Sequence, residues 1–307
     1  MEIMLQLALL AFGFYLLGKG SDWFVDGAAS IAARFGIPQL IIGLTIVAMG
    51  TSAPEAAVSI TAAANGSADV SVGNVLGSNI MNIWVILGVA AAVTVLHVQT
   101  STARVEIPFM IAITGLLYFL GRDGTIHFMD GVMLWLCFIA YLGYLYFVSR
   151  NSNMEADTVN TLSMQRSLLY LFIGMGAILL GSDCTVRAAT KLALIMGMSE
   201  RIIGLTIVAL GTSLPELFTS VNAALKHEAD IAIGNSVGSN VFNVLFVLGS
   251  SALLIPLPYA KAFMLDTYFA LGAAISLWLL VLPKQKLVRA SGLVMLCCYG
   301  YYFTTLL

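Results

Sequence analysis

Long apolar runs alternate with short polar or Gly/Pro breaks along this chain. The runs cover 3–32, 39–64, 70–96, 105–121 and 129–149, then 167–193, 202–225, 231–255, 262–282 and 288–306. A helix rising 1.5 Å per residue crosses a hydrocarbon core of about 30 Å in roughly 17–25 residues. The pattern therefore predicts an all-α polytopic membrane protein with ten transmembrane helices in two sets of five. Arg150-Asn151-Ser152-Asn153 opens the only extended polar stretch, which runs to Gln165-Arg166. It divides the chain into a first repeat at 1-149, a polar linker at 150-166 with no room for a soluble domain, and a second repeat at 167-307. The first twenty residues lack a basic start and a small-residue cleavage site, and Lys19 and Asp22 follow at once. They are expected to be the first spanning helix and not a signal peptide.

The two halves repeat one another in sequence. Gly43-Leu44-Thr45-Ile46-Val47-Ala48-Met49-Gly50-Thr51-Ser52-Ala53-Pro54-Glu55 returns at Gly204 through Glu216 with 11 of 13 positions identical, at an offset of 204 − 43 = 161. Gly20-Ser21-Asp22 returns as Gly181-Ser182-Asp183, and the block from Gly73 to Asn82 returns as Gly234 to Asn243, both at the same offset. Internal duplication thus covers most of the chain. Five helices per copy is an odd number, so the second copy must enter the membrane from the opposite side. An inverted-topology repeat follows, an arrangement many secondary transporters use. With the N-terminus outside, the inner loops and helix ends hold Arg34, Arg104, Arg150, Arg166, Lys226, Lys284, Lys286 and Arg289, against Arg122, Arg187, Lys191, Arg201 and Lys261 outside. The excess of basic residues favours both termini on the outer face.

Composition narrows the function classes. Hydrophobic residues make up 60% and charged residues 10%, with a mean hydropathy of +0.95, far from the balance of a soluble domain. A net charge of −2 and the lack of a basic tract exclude nucleic-acid binding. Cys137, Cys184, Cys297 and Cys298 lie in apolar stretches without metal-type spacing and read as buried, inert thiols. His97, His127 and His227 fall near predicted loops. No histidine or cysteine lies beside the repeated glutamate and asparagine motifs, which argues against an intramembrane enzyme, and no resident cofactor is expected.

The chemistry concentrates in the repeats. Each copy places one carboxylate, Glu55 or Glu216, inside an apolar run, where a charge costs about 2.5–3.5 kcal/mol even on the mildest scale. Proline removes a backbone donor and glycine loosens the same turn, so each helix should break at Gly-Thr-Ser-x-Pro-Glu. The break would free carbonyls around Ala48, Met49, Gly50 and Thr51, and around Ala209, Leu210, Gly211 and Thr212. Such backbone persists at membrane depth only where it lines a cavity or is packed in protein. Ser52 and Glu55, like Ser213 and Glu216, are three apart and share a helix face. Ser78 and Asn82, and Ser239 and Asn243, are four apart on the following helices. Calcium takes six to eight oxygen ligands at about 2.3–2.6 Å, and this inventory supplies them without the nitrogen or sulfur that zinc and copper prefer.

Gly-Thr-Ser-x-Pro-Glu followed by Gly-Asn-x-x-Gly-Ser-Asn-x-x-Asn, present twice in register, resembles the alpha repeats of the calcium/cation antiporter superfamily, in its sodium/calcium exchanger branch. The resemblance covers nearly all of the chain and implies a secondary active antiporter, in a prokaryotic inner membrane, that exchanges sodium for calcium by alternating access. It implies that Glu55 and Glu216 bind calcium with the backbone carbonyls of Thr51 and Thr212. It also implies sodium sites built from Ala48, Ser52, Glu55 and Ser78, and from Ala209, Ser213, Glu216 and Ser239, with Asn82 and Asn243 completing the centre. Exchange would then be electrogenic. Asparagine at 243, where potassium-dependent relatives carry aspartate, points to potassium independence. The proton-coupled branch typically has histidine after the motif glutamate, whereas Ala56 and Leu217 stand here; calcium/proton or other divalent-cation exchange on the same fold is the alternative. A passive cation channel is a third possibility, to be separated by whether flux needs a counter-ion.

Other features have structural explanations. Asp22 and Asp183 are expected to pair with Lys19 or Arg187. Asn79 and Asn240 are expected to satisfy backbone at the broken helices, and Gly43, Gly50, Gly73 and Gly77 to permit close helix approach. Trp23, Trp84, Trp135 and Trp278 suit interfacial belts and packing. The first and sixth helices, long and poor in charge, are the candidate moving elements. No obligate protein partner is indicated; the partners are sodium, calcium and the lipid bilayer.

Overall fold

The structure, a computed structural model, describes residues 2–151, 162–198 and 209–306. Its helices are α1 (Glu2–Phe35), α2 (Gln39–Thr51), α3 (Ala53–Ala64), α4 (Ala68–Val93), α5 (Thr102–Gly121), α6 (Phe128–Asn151), α7 (Met164–Ile195), α8 (Ala209–Thr212), α9 (Leu214–Leu225), α10 (Ala229–Leu254), α11 (Lys261–Val281) and α12 (Arg289–Leu306). Among the described residues, seven of these helices are long and apolar enough to cross a membrane, and α2 with α3, bent by 51° at their junction, form an eighth candidate. The expected linker and the start of the run expected at 202–225 lie largely outside the described residues.

Helix ends follow local chemistry. Gly36 at φ +63° and Gly66 at φ +82° end α1 and α3, with Ile37 N–H bonded to Ala32 O at 2.9 Å and Ser67 N–H to Ala62 O at 2.8 Å. This is the left-handed terminator in which the chain reverses over the last helical carbonyls. One offset later, Gly197 (φ +82°) ends α7, while His227 takes the same role after α9 at φ 64°. The repeat keeps the backbone even where it does not keep the glycine.

Two features depart from the all-helical expectation. Among the described residues, four two-residue strands, β1 (Leu96–His97), β2 (Thr125–Ile126), β3 (Leu257–Pro258) and β4 (Lys286–Leu287), pair antiparallel as β1 with β4 and β2 with β3. Since 96 + 161 = 257 and 125 + 161 = 286, each clip joins the two halves in an equivalent way. The helix expected at 70–96 accordingly stops at Val93, where Thr94 turns extended to enter β1. Among the described residues, four π-helical stretches, Gly43–Val47, Asn82–Leu87, Thr102–Glu106 and Asn243–Leu248, interrupt the α-helical hydrogen bonding. No simple hydrophobic period signals them, and they often mark functional positions.

α4 and α10 form the centre, each 78% buried over its most apolar window, against 22% for α1. α1 and α7 pack antiparallel along glycines seven residues apart. A Cβ added at Gly13 would lie 2.9 Å from Gly181 O, and one at Gly20 would lie 2.9 Å from Gly174 O. Gly174 and Gly181 are one offset from Gly13 and Gly20, so each glycine meets the counterpart of the other. Without a hydrophobic drive between helices in lipid, such backbone contact and its dispersion energy hold the pair. α2 meets α10 in the same manner, a Cβ on Gly234 falling 2.9 Å from Gly43 Cα. The expected thiols are less buried than the apolar pattern suggested, Cys297 being exposed and the other three half-buried, because the outer helices turn apolar faces outward.

Gly181→Ala should lower the melting temperature of the detergent-solubilised protein, since the added methyl meets backbone at 2.8 Å from both Gly13 O and Leu17 N. Overpacking of this kind typically costs about 1–3 kcal/mol. Gly176→Ala, with nothing within 4 Å of its Cβ, is the control and should melt like the parent.

Candidate functional site

Each acidic residue stands in the first turn of a helix that starts at the expected break. Ser52 (φ −82°, ψ 6°) precedes α3 and Ser213 (φ −90°, ψ 4°) precedes α9, with Pro54 and Pro215 in the first turn, where a missing N–H costs nothing. Ser-x-x-Glu at such a position would ordinarily close on itself as a capping box. Here neither serine caps its own helix. Ser52 Oγ instead donates to Glu216 Oε1 at 2.8 Å, and Ser213 Oγ to Glu55 Oε1 at 3.4 Å. The serine and glutamate that share a helix face in sequence are thus exchanged between repeats. Both carboxylates are 1% exposed.

The surrounding oxygens follow the same two-fold plan. Asn74 Nδ2 donates to Ser59 Oγ at 2.9 Å and to Glu55 O at 3.4 Å, and Asn235 Nδ2 donates to Ser220 Oγ at 2.9 Å and to Glu216 O at 3.4 Å. Thr51 Oγ1 donates to Asn235 Oδ1 at 2.9 Å, and the Thr212 side chain meets Glu55. Asn74, Asn235, Ser59 and Ser220 received no role from sequence, although Asn74 and Asn235 sit inside the repeated block.

The break frees fewer carbonyls than expected. Ala48 O still accepts Ser52 N–H at 2.9 Å, because the α-helical register persists up to Ser52. Gly50 O, whose usual partner would be the N–H that Pro54 lacks, accepts a backbone N–H at the helix end instead. Ala209 opens α8, and Leu210, Gly211 and Thr212 follow it. Asn79 and Asn240 do satisfy backbone, but each other's: Asn79 Nδ2 donates to Asn240 O at 3.2 Å and Asn240 Nδ2 to Asn79 O at 3.0 Å. Asn82 Nδ2 donates to Asn240 Oδ1 at 2.9 Å, and Asn243 Nδ2 to Asn79 Oδ1 at 3.2 Å. Ser78 and Ser239 are buried on the same helices. Among the described residues, Oε2 of Glu55 and of Glu216, Oδ1 of Asn82 and of Asn243 and Oγ of Ser239 have no hydrogen-bond partner. Buried oxygens without donors are costly in a protein interior, and a hard cation satisfies them.

Two cavities flank this centre. One of about 490 Å³ is lined by Ala53, Pro54, Ala57, Ser182, Asp183 and Thr212, and so reaches a candidate ligand. The other, of about 530 Å³, lies between α1 and α9 and is bordered by Ser21, Asp22, Phe218 and Asn222. Ser21, Asp22 and Ala57 correspond to Ser182, Asp183 and Phe218 at the 161-residue offset, so the two cavities are counterparts with unlike linings. Asp22 pairs with Lys19 at 3.7 Å as expected, and also with Lys226 at 3.1 Å, while Lys226 reaches Asp26 at 2.7 Å. Asp183 pairs with Arg187 on its own helix at 2.8 Å. Both aspartates are therefore in ion pairs. Trp84, Trp135 and Trp278 spend their indole N–H on Ser276, Ser250 and Ala103 O, and so pack the bundle, whereas His97, His127 and His227 are exposed. A buried carboxylate that sequence did not single out, Glu106, accepts from Tyr144 OH at 2.8 Å.

Against known families, residues 5–147 and 166–307 match the model of the sodium/calcium exchanger protein family. The chain is a member of that family. It is 30% identical to the sodium/calcium exchanger MaX1 of Methanosarcina acetivorans over 99% of both chains. It is 37% identical to the inner membrane protein YrbG of Escherichia coli over 83% of this chain and 81% of that one. Its fold superposes on the sodium-calcium exchanger NCX_Mj with a TM-score of 0.88 and 32% identity, covering 99% of this chain and 100% of the other. This exchanger is an integral membrane protein and a transporter, not an enzyme.

Proposed function

We propose that this exchanger moves sodium against calcium through a centre shared by the two repeats, with Glu55 and Glu216 as its charged ligands. The observation that carries the proposal is the exchange of serine–glutamate hydrogen bonds between copies, which draws both carboxylates into one buried locus. Two carboxylates balance one divalent cation, and the unpartnered oxygens of Asn82, Asn243 and Ser239 extend the donor set. Ser52, Ser213, Ser78, Thr51, Thr212, Ala48 and Ala209 complete it in this proposal. Sodium and calcium share the glutamates, so loading one ion expels the other, and inward sodium movement drives calcium outward. More sodium charge than calcium charge crosses in each cycle, and potassium is not required.

The same proposal places ten spans in two inverted halves, 1-149 and 167-307, joined by the linker at 150-166. The antiparallel α1–α7 contact and the equivalent strand clips support it, as does the division of the family match into two segments. α1 and α7, locked to each other by glycine, move as one unit against the central bundle. The name of the Escherichia coli relative supports an inner-membrane location, and the basic-residue bias supports outward termini.

Glu55→Gln or Glu216→Gln should abolish sodium-driven calcium uptake in proteoliposomes while the melting profile stays cooperative; near-normal uptake by both variants would overturn the shared carboxylate centre. With sodium, potassium and proton gradients imposed separately on the parent protein, only the sodium gradient should drive calcium, and uptake driven by a proton gradient alone would favour the calcium/proton alternative. Asn243→Asp should change the monovalent-ion requirement of exchange, read as the effect of potassium on sodium-driven calcium flux.

A further inference from the structure

The hydrogen bonds around the central asparagines fix the direction of each amide. A backbone carbonyl can only accept, so Asn240 must turn its NH₂ toward Asn79 O, and Asn79 its NH₂ toward Asn240 O. The Oδ1 of each is then committed as an acceptor on its other side. Asn82 must therefore offer Nδ2 to Asn240 Oδ1, and Asn243 must offer Nδ2 to Asn79 Oδ1. What remains of Asn82 and Asn243 is in each case a buried carbonyl oxygen with no partner. A flipped amide would put an NH₂ there and repel a cation.

We infer that Asn79 and Asn240 are positioning residues that fix the amide orientation of Asn243 and Asn82, so that two carbonyl oxygens and not two NH₂ groups are presented to the transported cation. This rests on the proposed cation site. All four side chains are buried, at 3% exposure or less, so water does not compete for these donors. The lock crosses the repeats: an asparagine on α4 orients the candidate ligand on α10, and the reverse. Each ligand's orientation therefore depends on α4 and α10 staying in contact through the Asn79–Asn240 pair.

The test is a pair of double-mutant cycles on the purified full-length protein, reading sodium and calcium affinity by isothermal titration and sodium-driven flux in proteoliposomes. Asn79→Ser removes the acceptor that holds Asn243, and loss of such a bond should weaken ion affinity by about tenfold. Aspartate carries oxygen on both arms and has no wrong orientation. In an Asn243→Asp background the further change Asn79→Ser should therefore cost less than about threefold, a strong non-additivity. Asn240→Ser against Asn82→Asp is the symmetric cycle and carries the test alone should Asn79→Ser fail to fold. Equal losses from the serine change in both backgrounds, accompanied by equal drops in melting temperature, would overturn the positioning role and leave a purely structural one. Unchanged ion affinity in both Asn243→Asp and Asn82→Asp would instead remove these residues from the cation site, an outcome distinct from failure of the lock.

Discussion

Two carboxylates in the interior of a membrane protein set the central constraint. Each, alone, carries a desolvation penalty of several kcal/mol, and two close together add mutual repulsion. Hydrogen bonds from Ser52 and Ser213 satisfy one oxygen of each, and leave the other oxygen of each without a donor. A bound cation relieves both costs at once. In the proposed centre, a transported ion between the two carboxylates would let an apolar bundle keep such a pair.

The rest of the bundle can be understood as support for that locus. Proline in the first turn of α3 and of α9 lets a helix begin inside the bundle without wasting a donor, so that a glutamate occupies that first turn. The fixed positive dipole of a helix start favours an acidic group there. Glycines at the α2–α10 and α1–α7 contacts bring backbones close enough for short side chains to reach across. Serine, threonine and asparagine are the residues that do so, and long side chains would fill the space an ion needs. The two flanking cavities are not equivalent. Lys226 ties α1 to α9 through Asp22 and Asp26, whereas Asp183 bonds within α7, and only the cavity beside α7 borders Thr212. Unlike residues at Ala57 and Phe218, and at Asp26 and Arg187, make the two ends of the repeat chemically distinct.

Much of the architecture was legible before any coordinates. Apolar runs of spanning length, the duplicated motifs and the glycine–proline break predicted the helices and the kink, and placed Glu55 and Glu216 at the break. Three things were not. The π-helical stretches shift backbone hydrogen bonds without changing which residues are apolar, so hydropathy is blind to them. The strand clips are two residues long and have no periodicity to detect. Asn74, Asn235, Ser59 and Ser220 carried no signal of their pairing in the sequence because their partners are 15 positions away on the next helix.

By itself the sequence determined that each half carries one acidic residue at a helix break in an apolar run, since composition and proline act locally. Which serine meets which glutamate was decided only by tertiary structure. Sequence proximity favours Ser52 with Glu55, three residues apart on one turn. Packing of the halves gives Ser52 to Glu216 instead, because both residues sit at helix starts that converge in the protein centre. The same holds for the asparagines, whose amide directions follow from backbone carbonyls on the opposite repeat. Local chemistry selected the groups, and the long-range meeting of two helix breaks assigned their partners.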